Sequence, residues 1–267
     1  MKRRLRVAQL LMLVAIFAVW QVLTQPGLVA PFVWENPDRA AFFFGEPVKF
    51  FQVIWAWFSG GEIYQHLWVT LEETVLAFVI GAALGLGMGL WLGLSPAASA
   101  LFDPYITAMN AMPRVVLAPI FMVWFGLGIW SKVALGVTLV FFIVFFNVYQ
   151  GVKEVSPVVL NNTVMLGATR RQLLRHVYLP SATSWVFSSL HVSVGMAFVG
   201  AVVGEYLGSA RGVGYLIQQA EGAFDINTVF AGILVLTAFA LVLDFAVGFA
   251  EKRLLVWRPT QGETEPL

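Results

Sequence analysis

From Thr74 to Phe102 the chain carries no charged side chain, and from Val133 to Val152 it carries none again. Runs of that length restrict the fold more than any other feature. A helix crossing the hydrocarbon core of a bilayer needs about 20 mostly apolar residues. It is also a form in which every backbone polar group inside lipid finds a partner. Six such segments can be marked: Val7–Leu23, Thr74–Leu94, Tyr105–Phe125, Val133–Tyr149, Trp185–Leu207 and Val229–Phe249. The third contains Pro113 and Pro119, which are tolerated where neighbours satisfy the freed carbonyls. The first follows the basic run Lys2-Arg3-Arg4-Leu5-Arg6. It is long for a secretory signal and no small-residue cleavage site closes it, so it reads as an uncleaved transmembrane helix. The expected fold is an all-α membrane protein with six transmembrane helices.

Composition agrees. Of 267 residues, 59% are hydrophobic and 12% charged, against about 25% charged in soluble domains. A net charge of +1 gives no field suited to nucleic acid. There is no cysteine, which excludes disulfides and thiolate chemistry, and His66, His176 and His191 show no metal-ligand spacing.

Basic residues outside the spans set the orientation. With the N-terminus inside, the cytoplasmic set is Lys2, Arg3, Arg4, Arg6, Lys153, Arg170, Arg171, Arg175, Lys252, Arg253 and Arg258. The outer set is Arg39, Lys49, Lys132 and Arg211. Both termini are therefore expected in the cytoplasm, and the loop Gln150 to Ser184 is the longest on that side. In the long outer connection, Pro47 suits a helix start and Gly60-Gly61 a stop. Trp55 and Trp57 suit either the headgroup level or packing within the protein.

Gly81, Gly85, Gly89 and Gly93 recur every four residues in the second span; Gly200, Gly204 and Gly208 do so in the fifth. Such stripes let backbones approach closely. Tight packing within one subunit explains them, and so do faces that slide or rock in a transport cycle.

The cytoplasmic loop reads as two short helices. Ser156-Pro157 supplies a cap and a first-turn proline. Gly167 stops the first helix in the left-handed conformation. Thr169-Arg170-Arg171-Gln172 fits the capping box that starts the second, and Pro180 is expected to end it by disfavouring helix at Leu179. From physics alone the segment suits anionic lipid or a soluble partner.

Gly167, nine further residues, then Val177-Tyr178-Leu179-Pro180 resembles the loop signature of permease subunits of bacterial ATP-binding-cassette importers. That signature reads Glu-Ala-Ala, three residues, Gly, nine residues, Ile, any residue, Leu-Pro. Asn161-Asn162-Thr163 stand in place of Glu-Ala-Ala, so the acidic residue is missing. The segments "NAMPRVVLAPIFMVWFGLGIWSK" and "GAVVGEYLGSARGVGYLI" resemble the branch importing nitrate, taurine, aliphatic sulfonates and related small organic compounds.

The resemblance, over roughly 61–255, implies a type I importer permease fold in the bacterial inner membrane. Residues 1–60 would form an N-terminal helix and outer segment, 61–255 the transmembrane domain, and 256–267 a cytoplasmic tail. It implies a pore of two permease copies, a cytoplasmic ATPase pair docked on the loops, and a periplasmic binding protein that delivers the solute. The coupling residues would be Asn161, Asn162, Thr163, Gly167, Ala168, Thr169, Arg170, Arg171, Leu179 and Pro180. No cofactor is expected on this chain, and ATP with Mg2+ would be used by the partner. No phosphate-binding glycine loop is present, in keeping with a chain that does no ATP chemistry.

Ionisable residues at membrane depth are functional candidates by default. His191, Glu205 and Arg114 are the candidates for the solute path, with Arg114 the only buried cation expected and Glu205 facing the mouth or pairing with Arg211. Two other functions are weighed. A gradient-driven transporter needs carboxylates at mid-membrane, whereas the acids marked here sit near span ends. A membrane hydrolase needs a nucleophile beside a base; Ser188 and His191, three apart, are the nearest approach to one.

Overall fold

The computed structural model describes residues 2–25 and 37–254, with the backbone alone at several positions, including Ser188 and His191. Among the described residues all regular structure is helical. The helices are α1 (Lys2–Thr24), α2 (Pro37–Phe44), α3 (Pro47–Gly60), α4 (Glu62–Leu94), α5 (Pro96–Ala111), α6 (Ala118–Phe125) and α7 (Ile129–Lys153). There follow α8 (Pro157–Met165), α9 (Arg170–Leu173), α10 (Leu179–Leu207), α11 (Val213–Gly222) and α12 (Ile226–Leu254). A 3-10 turn, Arg114–Leu117, precedes α6, and a π-helical turn, Leu174–Tyr178, joins α9 to α10. The tail 256–267, with Arg258, lies outside the described residues. Two compact units result: Met1–Thr70 with Glu205–Ala238, and Leu71–Gly204 with Phe239–Leu267.

Helices α1, α4, α7 and α12 are each long and apolar enough to cross a membrane. The third expected span is not one straight helix. Met112 and Pro113 interrupt it, and the pair Pro96–Ala111 and Arg114–Phe125 is bent by 88°. Proline removes a backbone donor and its ring strikes the carbonyl four residues back, so a helix is broken there. Pro119, in the first turn of α6, leaves its own helix intact. Helix α4 also begins at Glu62, earlier than the apolar run alone indicates.

In the first unit, α1 is exposed along nearly its whole length, as Leu10, Leu11, Met12, Val14 and Val19 show. A helix apolar all round suits lipid. It is fastened at its C-terminal end: the Trp20 indole N–H donates to the Phe44 carbonyl (3.2 Å) and its ring meets Phe50 and Phe230 edge-on or tilted. The expected helix Pro47–Gly60 is present, closed by Gly61 at φ 79°. Its two tryptophans divide. Trp55 is 76% exposed, while Trp57 packs against the core of Ile63, Val213, Leu216 and Val235.

The second unit is organised around α7. A Cβ added to Gly81, Gly89 or Gly93 would lie 2.8–2.9 Å from Val140, Val148 and Val152 respectively, and one on Gly85 would lie 2.8 Å from the Phe141 carbonyl and 2.9 Å from Val144. Only glycine admits such contact. The partners' numbers rise together, so α4 and α7 run parallel. Residues 95–128 must therefore carry the chain back across between them, despite the bend. On another side of α7, Gly200 sits where a Cβ would be 2.5 Å from the Gly136 Cα, and Gly204 faces Lys132. Here the numbers run in opposite directions, so α10 is antiparallel to α7. Gly208 lies just past the end of α10.

Candidate functional site

The loop between α7 and α10 is fixed at its base and open at its tip. At the base, the Ser181 hydroxyl donates to the Gly151 carbonyl (2.9 Å), and Gly151 lies under the Trp185 ring. Tyr178 packs on the cluster of Ala77, Val140, Val144 and Val148. Helix α8 begins at Pro157, although the Ser156 side chain makes no capping bond. It ends in a Schellman turn. Ala168 N–H donates to the Thr163 carbonyl (3.2 Å) and Gly167 N–H to that of Val164 (2.9 Å), with Gly167 at φ 82°. The capping box is complete: Gln172 N–H donates to Thr169 Oγ1 (3.4 Å) and Thr169 N–H to Gln172 Oε1 (2.8 Å).

Asn161, Asn162, Arg170, Arg171 and Arg175 are exposed. So are Val158, Val164, Met165 and Leu166, the last two at 85% and 87%. Thr163 is turned inward on its own helix and donates to the Val159 carbonyl (2.6 Å).

Pro180 does not end the helix. The chain passes from α9 through the π-turn into α10, with Pro180 in its first turn. A π-turn shifts the hydrogen-bond ladder by one residue, which makes room for a residue lacking an N–H. Leu179 is helical, and the proline sits where its missing donor costs least.

A second polar constellation forms at the start of α11, within the first unit. Glu205 is fully buried. Its Oε1 accepts from Thr70 Oγ1 (2.7 Å) and its Oε2 from Gly214 N–H (2.7 Å). Thr70 Oγ1 accepts from Val213 N–H (3.2 Å), and His66 Nδ1 lies 3.1 Å from the Gly212 nitrogen. Backbone donors at a helix N-terminus have no partner within the helix, and a carboxylate there also meets the favourable end of the dipole. Gly212, at φ 104°, has no room for a side chain: a Cβ would lie 2.1 Å from the Glu205 carboxyl carbon. Glu205 is thus turned inward onto α11. Arg211 is exposed at the surface.

Arg114 is half-buried beside the bend. Its guanidinium lies 4.5 Å from the centre of the Phe142 ring and donates through Nη2 to the Asn110 carbonyl (3.3 Å) and side-chain oxygen. It joins the two sides of the broken span. No ion pair of Arg114 occurs among the described residues. Among the described residues the fully buried cation is instead Lys132, which the sequence places in the outer set. Its Nζ donates to the carbonyls of Leu127 (2.6 Å) and Gly128 (3.0 Å). Helical spacing carries the signal for it: Lys132, Leu135, Gly136, Leu139 and Val140 share the buried face of α7. Sequence reading also passed over Asp244, an isolated charge inside the apolar span Ile226–Phe249. The side chains of Ser188 and His191 lie outside the description. Arg114 and the His191 backbone belong to the second unit, Glu205 to the first. Among the described residues, no group of three or more His, Cys, Asp or Glu is placed to hold a metal ion.

Residues 81–256 match the family described as the inner membrane component of binding-protein-dependent transport systems. The chain belongs to this family. It is 31% identical over 249 residues to a putative aliphatic sulfonates transport permease, SsuC, of Bacillus subtilis, covering 93% of this chain and 87% of that one. It is 34% identical over 203 residues to the formylaminopyrimidine transport permease ThiX of Halalkalibacterium halodurans, covering 76% and 81%. The taurine transport permease TauC of Escherichia coli is 30% identical over 200 residues, covering 75% and 73%. Among solved structures, the inward-facing MetNI methionine ABC transporter matches with a TM-score of 0.62 at 17% identity, over 73% of this chain and 95% of that one. The permease is therefore a multi-pass inner-membrane protein with a type I importer fold, in the sulfonate and taurine branch.

Proposed function

We propose that the permease forms half of a path for a small organic solute and is moved by a separate cytoplasmic ATPase docked on residues 154–178. The exposed apolar ridge of Val158, Val164, Met165 and Leu166 carries this reading. A ridge of that kind, rimmed by Arg170 and Arg171, suits a protein partner with a hydrophobic groove and an acidic border. The Schellman turn holds α8 in a fixed pose, so the ridge is presented ready-made. The cluster of Lys153, Arg170, Arg171 and Arg175 favours the cytoplasm for this loop and for both termini.

ATP and Mg2+ would be used by the ATPase, and this chain would hold neither. A second copy of the permease would complete the path, and a periplasmic binding protein would deliver the cargo. The cargo belongs with the small organic compounds named for the relatives, sulfonates, taurine and formylaminopyrimidine among them. Asn161 is exposed where the family signature has an acid, so docking rests on shape and apolar contact more than on an ion pair.

The test is Gly167→Val in the complete transporter. At φ 82° valine is strained, while a Cβ there meets nothing within 4 Å, so the fault is confined to the turn. The variant is expected in the membrane at normal levels, with ATPase co-purification and ATP-driven uptake reduced at least tenfold. Normal association and uptake would sink the docking model.

A further inference from the structure

Arg114 stands at the level of the bilayer centre. Its guanidinium lies 4.5 Å from the centre of the Phe142 ring. Phe142 is 13 residues after Ile129 and 11 before Lys153, the two ends of α7. At the helical rise those ends are about 20 Å and 17 Å away, whereas half the hydrocarbon core is about 15 Å. Phospholipid phosphates therefore lie out of reach. A charge at this depth has to be paired, or has to face the interior of a bundle or a water-filled space. No carboxylate pairs with Arg114 among the described residues. Nη2 is spent on Asn110, and the buried Nε has no hydrogen-bond partner.

The backbone beside Arg114 makes the same demand independently. Met112 and Pro113 are not helical, and the span bends by 88° there. Irregular backbone at membrane depth is tolerated only where protein buries it or where it lines a water-filled cavity. This chain does not bury it. Met112 is 41% exposed, Val115 47% and Val116 68%, and Pro113 is exposed as well. Lipid satisfies neither the guanidinium nor the open backbone. In a chain that forms half of a solute path, a mid-membrane surface that cannot face lipid is the surface turned to that path.

Resting on the permease reading, we propose that Arg114 holds the anionic end of the cargo, a sulfonate or a carboxylate, midway across the membrane. A guanidinium is always charged, and its hydrogen bonds to oxyanions are among the stronger ones in proteins. Phe142 and Asn110 fix the plane of this one. Nη1 stays uncommitted among the described residues, and Asn110, whose oxygen is engaged, keeps its NH2 group as a further donor. The site favours a solute with an oxyanion and disfavours one whose only charge is positive.

The absence of cysteine makes a direct test possible. Met112→Cys and Val116→Cys each give the permease a single thiol, one on either side of Arg114. Each variant is assembled with its ATPase in membrane vesicles and labelled with two methanethiosulfonate reagents of similar size, one carrying a sulfonate and one a trimethylammonium. At least one position is expected to label. Relative to a free thiol in solution, the sulfonate reagent should be favoured about tenfold, the effect of one nearby charge in a partly screened site. Adding Arg114→Gln should return the ratio to that of the free thiol, and Arg114→Lys should keep most of the preference. Excess methanesulfonate should slow the labelling several-fold where chloride at the same concentration does not, and Arg114→Gln should abolish that protection. Labelling at neither position puts this surface against protein or lipid and overturns the proposal. A preference that Arg114→Gln leaves unchanged overturns it too, as does the absence of protection by methanesulfonate. Each of these failures leaves the ATPase association and uptake of the unmodified chain intact, whereas an error in the permease reading removes those first.

Discussion

Glu205 shows how much one buried side chain can organise. It accepts from Thr70 and from the first turn of α11, and its carboxyl carbon fills the space that a side chain at position 212 would need. Replacing it with alanine leaves Gly214 N–H without this acceptor and opens a cavity. The expected cost is about 3–5 kcal/mol, read as a lower midpoint in thermal unfolding of the detergent-solubilised protein and faster proteolysis around α11. Glu205→Gln keeps the shape and one acceptor oxygen, so it should cost less than half as much. Equal effects from the two variants would show that the hydrogen bonds to α11 do not matter. Gly212→Ala should match the alanine variant, since it displaces the same carboxylate. Nothing in the sequence ties Thr70 and His66 to Gly212, because they are more than 140 positions away.

At the scale of elements, the glycine stripe of α4 and the ridge of α8 make opposite demands. The stripe needs contact with backbone. Gly85→Val would drive a side chain into the Phe141 carbonyl, which cannot rotate away. Overpacking of that kind costs about 1–3 kcal/mol, and expression and thermal stability should fall together. Gly87→Val, on the same helix with nothing within 4 Å of its added Cβ, is the control and should be silent. The ridge needs a partner instead. Met165→Asp, at an 85% exposed position, should leave the stability of the isolated permease unchanged and weaken ATPase binding at least tenfold. A loss of stability there would mean that the ridge packs within the chain.

For the whole molecule, the apolar runs, the glycine spacing and the capping signals of the loop were legible because each depends on neighbours within two turns. The helix Pro47–Gly60, the Gly167 turn and the Thr169 box follow from such local signals. Pro180 was misread because the remedy for its missing donor, a π-turn, lies in the residues before it. Lys132 was counted with the outer connection because it stands just before the apolar run Val133–Tyr149, whereas its helical register with Leu135, Gly136 and Leu139 puts it on the buried face. Asp244 was overlooked because one charge barely lowers the mean hydropathy of a long span.

The parallel pairing of α4 and α7 has a mechanical consequence. Four glycine notches receive Val140, Val144, Val148 and Val152, each set four residues apart. A rack cut this way has no smooth intermediate positions. Moving one helix along the other by less than a full tooth, about 6 Å, would press valine branches onto helix backbone. Smaller displacements are therefore blocked, and the two helices should travel through any working cycle as one rigid post. Rearrangement has to occur elsewhere, and the bent segment between these helices is the natural place for a hinge.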